Sequence, residues 1–223
     1  MDRRARAREL AAEYLAKGDP KGWFEQLYRE AAAGKSTIPW ADRHANPNLV
    51  DFWKRNTIQA NGKTALAIGC GFGDDAEQLA AWGFKVTAFD ISESAIRVCR
   101  QRFPGSRVKY TTADLFSSPP EWTRAFDFIL ESYTLQVLPP QLREPAICCI
   151  ADFVRRGGHL LIITRARGEE DAPGLMPWPL IDRDLDKVKT CGLRELSFED
   201  YFDLESPPVR RFRALYERCS QTV

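Results

Sequence analysis

The sequence predicts an α/β protein: a seven-stranded sheet with helices on both faces, five strands parallel and the edge closed by a C-terminal antiparallel hairpin. Three observations carry this. From Thr64 onward, short apolar runs alternate with helical segments, the pattern of a parallel sheet buried on both sides. The tail breaks that alternation with two strand-like runs, 193–201 and 211–218, split by Ser206-Pro207-Pro208. The first sixty residues hold no strand-like run and read as helical and polar-rich. At roughly 150 residues per domain, 223 residues make one domain with an extension. Residues 1–60 are expected to cap a core formed by 61–223.

In order, Arg3 to Lys17 places Leu10, Tyr14 and Ala7, Ala11, Leu15 on neighbouring helical faces. Gly18-Asp19-Pro20 ends that helix, with Asp19 as the next N-cap and Pro20 at the first helical position. A second helix to about Ala33 carries Trp23, Phe24, Leu27 and Tyr28, and Gly34 ends it. Pro39-Trp40 through Asn46-Pro47 is loop, and Asn48 to Arg55 is a third short helix. Strands follow at 65–68, 84–89, 108–111, 126–130 and 159–164, with helices at 74–82, 92–103 and 141–154 between them.

Composition removes several function classes. Thirty-two Lys and Arg against 31 Asp and Glu leave +1, so no global field draws the chain to nucleic acid. The longest clean apolar run, Leu160 to Ile163, falls far short of the ~20 residues of a membrane span. Arg3, Arg4, Arg6 and Arg8 have no apolar stretch behind them, which is not a secretory signal, and Asp2 and Glu9 oppose a transit peptide. Six scattered cysteines without a C-x-x-C pair read as reduced thiols of a cytoplasmic protein. With two histidines, His44 and His159, no metal site is expected. A monomer or homodimer is expected.

The chemistry lies in Ala65-Leu66-Ala67-Ile68-Gly69-Cys70-Gly71-Phe72-Gly73, a strand entering a glycine-rich turn at a helix start. Such a turn lets a ligand approach the backbone near the helix amides. About twenty residues on, Asp90 ends the second strand, where a carboxylate accepts from ribose hydroxyls. A dinucleotide fold favours a third glycine where this chain has Asp74, whose carboxylate repels pyrophosphate and can accept from a cationic amino group. After the third strand, Ala113-Asp114-Leu115-Phe116 supplies an acid for an adenine amino group and apolar contact for the purine. Two strand-end acids and a glycine turn describe S-adenosylmethionine (SAM) better than NAD.

Over about 64–218 the sequence resembles class I SAM-dependent methyltransferases, and within them the thiopurine, thiol/halide and tellurite-resistance group. Cys70-Gly71, Asp75, Leu79-Ala80, Gly83, Val86 and Asp90-Ile91-Ser92 carry the likeness through the first two strands. Leu27-Tyr28, Gly34, Pro39-Trp40-Ala41-Asp42 and Asn46-Pro47-Asn48-Leu49 look like that group's tryptophan-containing cap. Pro173-Gly174 and Pro177-Trp178-Pro179-Leu180 look like its proline-rich loop. One stretch departs: Glu131-Ser132-Tyr133-Thr134-Leu135-Gln136 stands where the thiopurine enzymes carry an Asp-x-Gly-like segment. The resemblance implies a Rossmann-like sheet, SAM as cofactor with S-adenosyl-L-homocysteine as product, and a small-molecule methyl acceptor.

The candidate cofactor residues are Gly69, Cys70, Gly71, Asp75, Asp90, Ile91, Asp114, Leu115, Glu131 and Trp40. Trp23, Trp40 and Trp178 are the candidate acceptor-binding residues, and Tyr133 and His44 the candidate catalytic ones. Each has a plainer reading beside it. Asp114 could cap a short helix, Asp75 could cap or join a network under the methionine end, and the tryptophans could be core aromatics. Cys70 reads as a small buried residue and His159 as a satisfied strand histidine. The scarcity of histidine favours a thiol or other soft acceptor, uncharged or weakly acidic, because an alcohol needs a base more. An O-methyltransferase of the same fold, a nucleotide-dependent oxidoreductase and a non-catalytic SAM-binding protein remain the alternatives.

Overall fold

The computed structural model describes residues 4–219, so Asp2 and Arg3 lie outside it. In chain order the elements are α1 (Ala5–Ala16), α2 (Gly22–Ala32), α3 (Pro47–Arg55), β1 (Thr64–Ile68), α4 (Asp74–Ala81), β2 (Lys85–Asp90) and α5 (Glu93–Arg102). They continue with β3 (Lys109–Thr112), β4 (Phe126–Ser132), α6 (Pro140–Phe153), β5 (Val154–Arg165), α7 (Asp182–Thr190), β6 (Arg194–Phe202) and β7 (Arg210–Glu217). The seven strands form one sheet in the order β3-β2-β1-β4-β5-β7-β6. The pairings from β3 to β5 are parallel, while β7 runs antiparallel to both β5 and β6. The five-plus-hairpin expectation therefore holds, with β7 inserted inside the edge strand β6.

Strand alternation divides the apolar residues between two cores. Leu66, Ile68, Ile129, Leu160 and Ile162 face a cluster with α6 and α7. Ala65, Ala67, Phe128, Leu130, Leu161 and Ile163 face the other side, where Phe52, Leu79 and Ile96 cover them. Leu49 and Phe52 place α3 in this second core, not with α1 and α2. Arg213 of β7 fixes it there, donating to the Asn48 carbonyl at 2.7 Å and pairing with Asp51 at 3.0 Å.

The first two helices form a third cluster with Ile38, Ala95, Val137 and Met176. Trp23 is fully buried in it, stacked on Phe24 at 3.9 Å and meeting Trp40 edge-on at 6.2 Å. A polar clasp locks α2 to the start of α5: the Glu25 carboxylate accepts from the hydroxyls of Ser92 and Ser94, each at 2.7 Å, and from the Ser94 amide at 3.1 Å. Asp19 closes the turn before α2 by accepting from the Gly22 amide at 2.9 Å, so the helix begins two residues later than Pro20 suggests.

Two features depart from the sequence expectations. Helix α7 is additional; its nine residues offer only Leu185 and Val188 as an apolar face, too little periodicity to register. Its start is closed by Asp184, which accepts from the Ile181 amide at 3.0 Å. The expectation of reduced thiols fails at Cys148 of α6 and Cys191 after α7, which form a disulfide with a Cα separation of 5.7 Å. No spacing rule could join them, because only the packing of α6 beside α7 brings them together. Among the described residues no helix is long and apolar enough to cross a membrane.

If the cap is part of the permanent core, Trp23→Ala should cost about 3–5 kcal/mol, as for a fully buried large aromatic. Denaturant unfolding measures this; a loss below about 1 kcal/mol would show a loosely docked cap.

Candidate active site

A cavity of about 850 Å³ opens over the C-terminal ends of the parallel strands, between the sheet and the cap. This is the ligand position of open α/β sheets, where the connections diverge to the two faces. The turn after β1 forms its floor. Gly69, Gly71 and Gly73 have φ of +55°, +54° and +89°, a region that only glycine enters readily. A Cβ would also stand 2.5 Å from the Thr134 hydroxyl at Gly69 and 2.9 Å from the Tyr28 hydroxyl at Gly71. Both of those side chains line the cavity. Thus conformation and neighbouring side chains both demand the glycines here.

The turn's amides are used internally. Cys70 N–H donates to the Phe89 carbonyl, Gly71 N–H to the Asp90 carboxylate and Gly73 N–H to the Cys70 carbonyl, all at 2.9 Å. None of these three is offered to a pyrophosphate, which disfavours a dinucleotide. The role expected for Asp74 is corrected: its carboxylate is engaged by both terminal nitrogens of Arg102, at 2.7 and 2.8 Å, and is not waiting for a cationic ligand. The Cys99 thiol, and then burial, hold the Cys70 thiol well above its usual range, as befits a packing residue.

At the end of β2, Asp90 is buried and accepts from Gly71 N–H and Ser92 N–H, one on each oxygen, both at 2.9 Å. Burial pushes its pKa up to about 6 despite those bonds. Each oxygen keeps acceptor capacity, and Asp90 and Ile91 both lie on the cavity wall. Beyond β3, one Asp114 oxygen accepts from Phe116 N–H at 3.0 Å and caps the short turn Leu115–Ser117. The other oxygen is paired with the Lys21 ammonium, which lies 5.1 Å from the centre of the Phe116 ring. Leu115 completes this end of the wall.

Around β4 the cap loop meets the sheet. The half-buried Asp75 carboxylate accepts from Asn46 N–H at 2.7 Å, and the Asn46 side chain donates to the Ser132 hydroxyl at 2.9 Å. Burial pushes Asp75 up to about 6. Of its two sequence readings, the network is the one observed. Tyr133 has φ +69° and lies on the wall; its hydroxyl accepts from the Asn48 amide at 3.1 Å and lies 3.4 Å from Asn46 Oδ1. Trp40 also lines the cavity, its indole N–H donating to the Tyr28 hydroxyl at 3.0 Å. His44 reaches the wall from an exposed position, with Nδ1 3.0 Å from the Ala45 carbonyl.

Three candidate residues do not reach the cavity. Glu131 is fully buried beneath it and accepts from Thr134 N–H at 2.7 Å and Leu135 N–H at 2.9 Å, capping the short turn Leu135–Val137. Burial pushes it up to about 7. Trp23 is sealed in the cap core behind Phe24 and Trp40. Trp178 packs against that same core, its N–H donating to the Gln136 carbonyl at 2.7 Å. The structure adds Lys21, Tyr28, Asn48, Arg165, Tyr201 and Arg211 to the wall. Tyr28 and Asn48 fell within quoted motifs; the others carry no local signal, because loop closure and strand register bring them in.

Residues 65–158 match the family model of the methyltransferase domain. Among curated relatives, ubiquinone biosynthesis O-methyltransferase of Aromatoleum aromaticum is 35% identical over 121 residues, 53% of this chain and 50% of that protein. Thiocyanate methyltransferase 1 of Arabidopsis thaliana is 26% identical over 160 residues, 70% of this chain and 66% of that one. The chain thus spans about half the length of the first relative and two thirds of the second. A solved structure titled for the conversion of a disulfide bond into a thioacetal group during echinomycin biosynthesis superimposes with TM-score 0.70 at 18% identity, covering 89% of this chain and 93% of its own. That likeness is one of fold. Residues 65–158 are thus similar to a methyltransferase domain, and the sheet order and the glycine turn beside Asp90 agree with that likeness.

Proposed function

We propose that the chain transfers the methyl group of SAM to sulfur, or another soft atom, of a small acceptor. The observation that carries this reading is the single cavity spanning the strand ends. It has strand-end acids on its β2–β3 flank and a separate wall on its β4–β5–β7 flank, where Tyr133 is tied to Asn46 and Asn48 and His44 approaches from an exposed position. Its volume lies at the upper end of the ~300–1,000 Å³ typical of ligand pockets, room for a nucleoside and an acceptor together.

The residues present fit the cofactor. The ionised Asp90 carboxylate suits ribose hydroxyls, while Ile91, Leu115 and Phe116 suit a purine face. Asp114 suits the adenine amino group once Lys21 releases it. Lys21 reproduces, within the protein, a cationic donor above an aromatic ring. Asp75, Asn46 and Ser132 hold the cap loop against the sheet beside the methionine end, with Trp40 and Tyr28 above. When bound, SAM supplies an electrophilic methyl group.

The chain contributes positioning and exclusion of water, the main requirements of an in-line displacement. Tyr133 is tied to Asn46 and Asn48, and Glu131 is turned beneath the floor. Neither stands ready to remove a proton. A thiol already partly ionised near neutrality needs no such group, whereas a phenol does. The thiocyanate relative supports a sulfur acceptor and the ubiquinone relative an oxygen one; with His44 as the one imidazole on the wall, and exposed, sulfur is favoured.

Affinity for S-adenosylhomocysteine should rise between pH 5 and 7. Below about 6 the Asp90 carboxyl is protonated and its acceptor strength weak; above it the carboxylate forms and takes the ribose hydroxyls. In the ligand-free protein the sign reverses, because a carboxyl pKa raised from 3.8 to about 6 makes this group's contribution to stability fall as pH climbs between those two values. Asp90→Ala should weaken binding by about 1–3 kcal/mol. Calorimetric titration across pH measures both; a flat profile with unaltered affinity in the variant would refute the ribose assignment.

Lys21→Met should tighten binding of the same product up to about fivefold, since the cofactor no longer competes with a half-exposed ion pair. Weaker binding would instead make Lys21 a direct ligand. For acceptor chemistry, turnover of a small thiol should increase with pH toward its own pKa, and His44→Ala should retain activity within about tenfold. Robust methylation of phenols, no turnover of thiols and a hundredfold loss on removing His44 would move the acceptor to oxygen.

A further inference from the structure

The acceptor flank carries a cationic pair. Arg165 ends β5 and Arg211 lies directly opposite it on β7, so two guanidinium groups sit side by side at the cavity wall. Like charges in direct cross-strand register oppose sheet formation unless an anion lies between them. Arg211 is fully buried, lies 4.7 Å above the Tyr133 ring, and donates from Nε to Asp203 at 2.6 Å. Its Nη1 is buried with no hydrogen-bond partner. Among the described residues, Arg165 makes a loose ion pair at 3.8 Å, with Glu205. Burial, and then the charges of Arg211 and Arg4, hold Arg165 below its usual pKa.

Glu205 occupies a telling position. Its carboxylate comes from the turn between β6 and β7, with a half-exposed side chain, and spans both arginines: one oxygen takes Arg211 Nη2 and the other faces Arg165. Arg211 already holds Asp203 and Glu205, yet its unmade Nη1 hydrogen bond invites another oxyanion in place of Glu205, since such an orphan donor is costly. The pair stands beside Tyr133, across β4 from the acids of the cofactor flank.

Building on the methyl-transfer reading, we propose that the acceptor is an organic anion whose carboxylate is received by Arg165 and Arg211 beside Tyr133, displacing Glu205. Of the uncharged or weakly acidic acceptors expected, this selects the acidic ones. The carboxylate anchors the molecule at one end and leaves its nucleophilic atom toward β4. Glu205 is the internal competitor for the anchor, so its charge sets how readily acceptors enter.

The test is calorimetric titration of the full chain, with and without S-adenosylhomocysteine, using 4-(methylthio)phenylacetate and its neutral primary amide. The carboxylate should bind at least about tenfold more tightly than the amide, as expected for charge-assisted bonds to guanidinium. Arg165→Gln should collapse that ratio to below about threefold, and Glu205→Gln should raise carboxylate affinity. Equal affinity for the two ligands, or a ratio that survives in a folded Arg165→Gln variant, overturns the inference. If Arg165→Gln does not fold, unchanged or weaker carboxylate binding by Glu205→Gln overturns it. The parent reading fails separately: carboxylate binding by a chain that does not bind SAM would leave the anion site and remove methyl transfer.

Discussion

The buried carboxylate of Asp90 is the contact on which the cofactor half of the cavity depends. One oxygen holds the glycine turn after β1 through Gly71 and the other holds the start of α5 through Ser92. Ser92 and its neighbour Ser94 are in turn gripped by Glu25 of the cap. Sheet, turn and cap therefore meet through one desolvated acid and one partly buried one. Burial raises the Asp90 pKa because its two amide donors compensate only part of its lost hydration. A group kept costly in this way gains most from a ligand that offers further donors.

Charge on the wall is segregated by strand order. Acids terminate β2 and follow β3, while arginines occupy β5 and β7 on the other side of β1 and β4. Both flanks are answered from within the chain. Lys21 sits on Asp114 and Glu205 on the arginine pair. The Lys21–Asp114 pair joins two partly exposed loop residues, so its net worth is small and it can open to a charged ligand, whereas Glu205 sits over the buried Arg211 and is displaced only by another anion.

The cap adds a third core. Trp23, Leu27 and Tyr28 are buried against Ala95, Val137 and Met176, and the Asn46 loop is pinned to Asp75 and Ser132. Movement that admits ligands is accordingly easier to locate in exposed chain, such as Leu204 and Glu205 at the β6–β7 turn, than in α2.

The sequence by itself determined the strand–helix alternation, the hairpin tail, the glycine turn and the acids at positions 90 and 114, because each depends on periodicity or spacing along the chain. Trp40, expected to bind cofactor and acceptor, and Tyr133 and His44, expected to be catalytic, all line the cavity, because loops at strand ends and in the cap converge on the same opening. It misled at Glu131, Trp23 and Trp178, where a residue of the right type near the right motif turned to cap a turn or fill a core. Facing depends on neighbours that local pattern does not encode. Helix α7, the Cys148–Cys191 bond and the Arg165–Arg211 pair belonged to tertiary structure alone. Each joins segments far apart in the chain, and only the register of β5 against β7 and the packing of α6 on α7 bring them together.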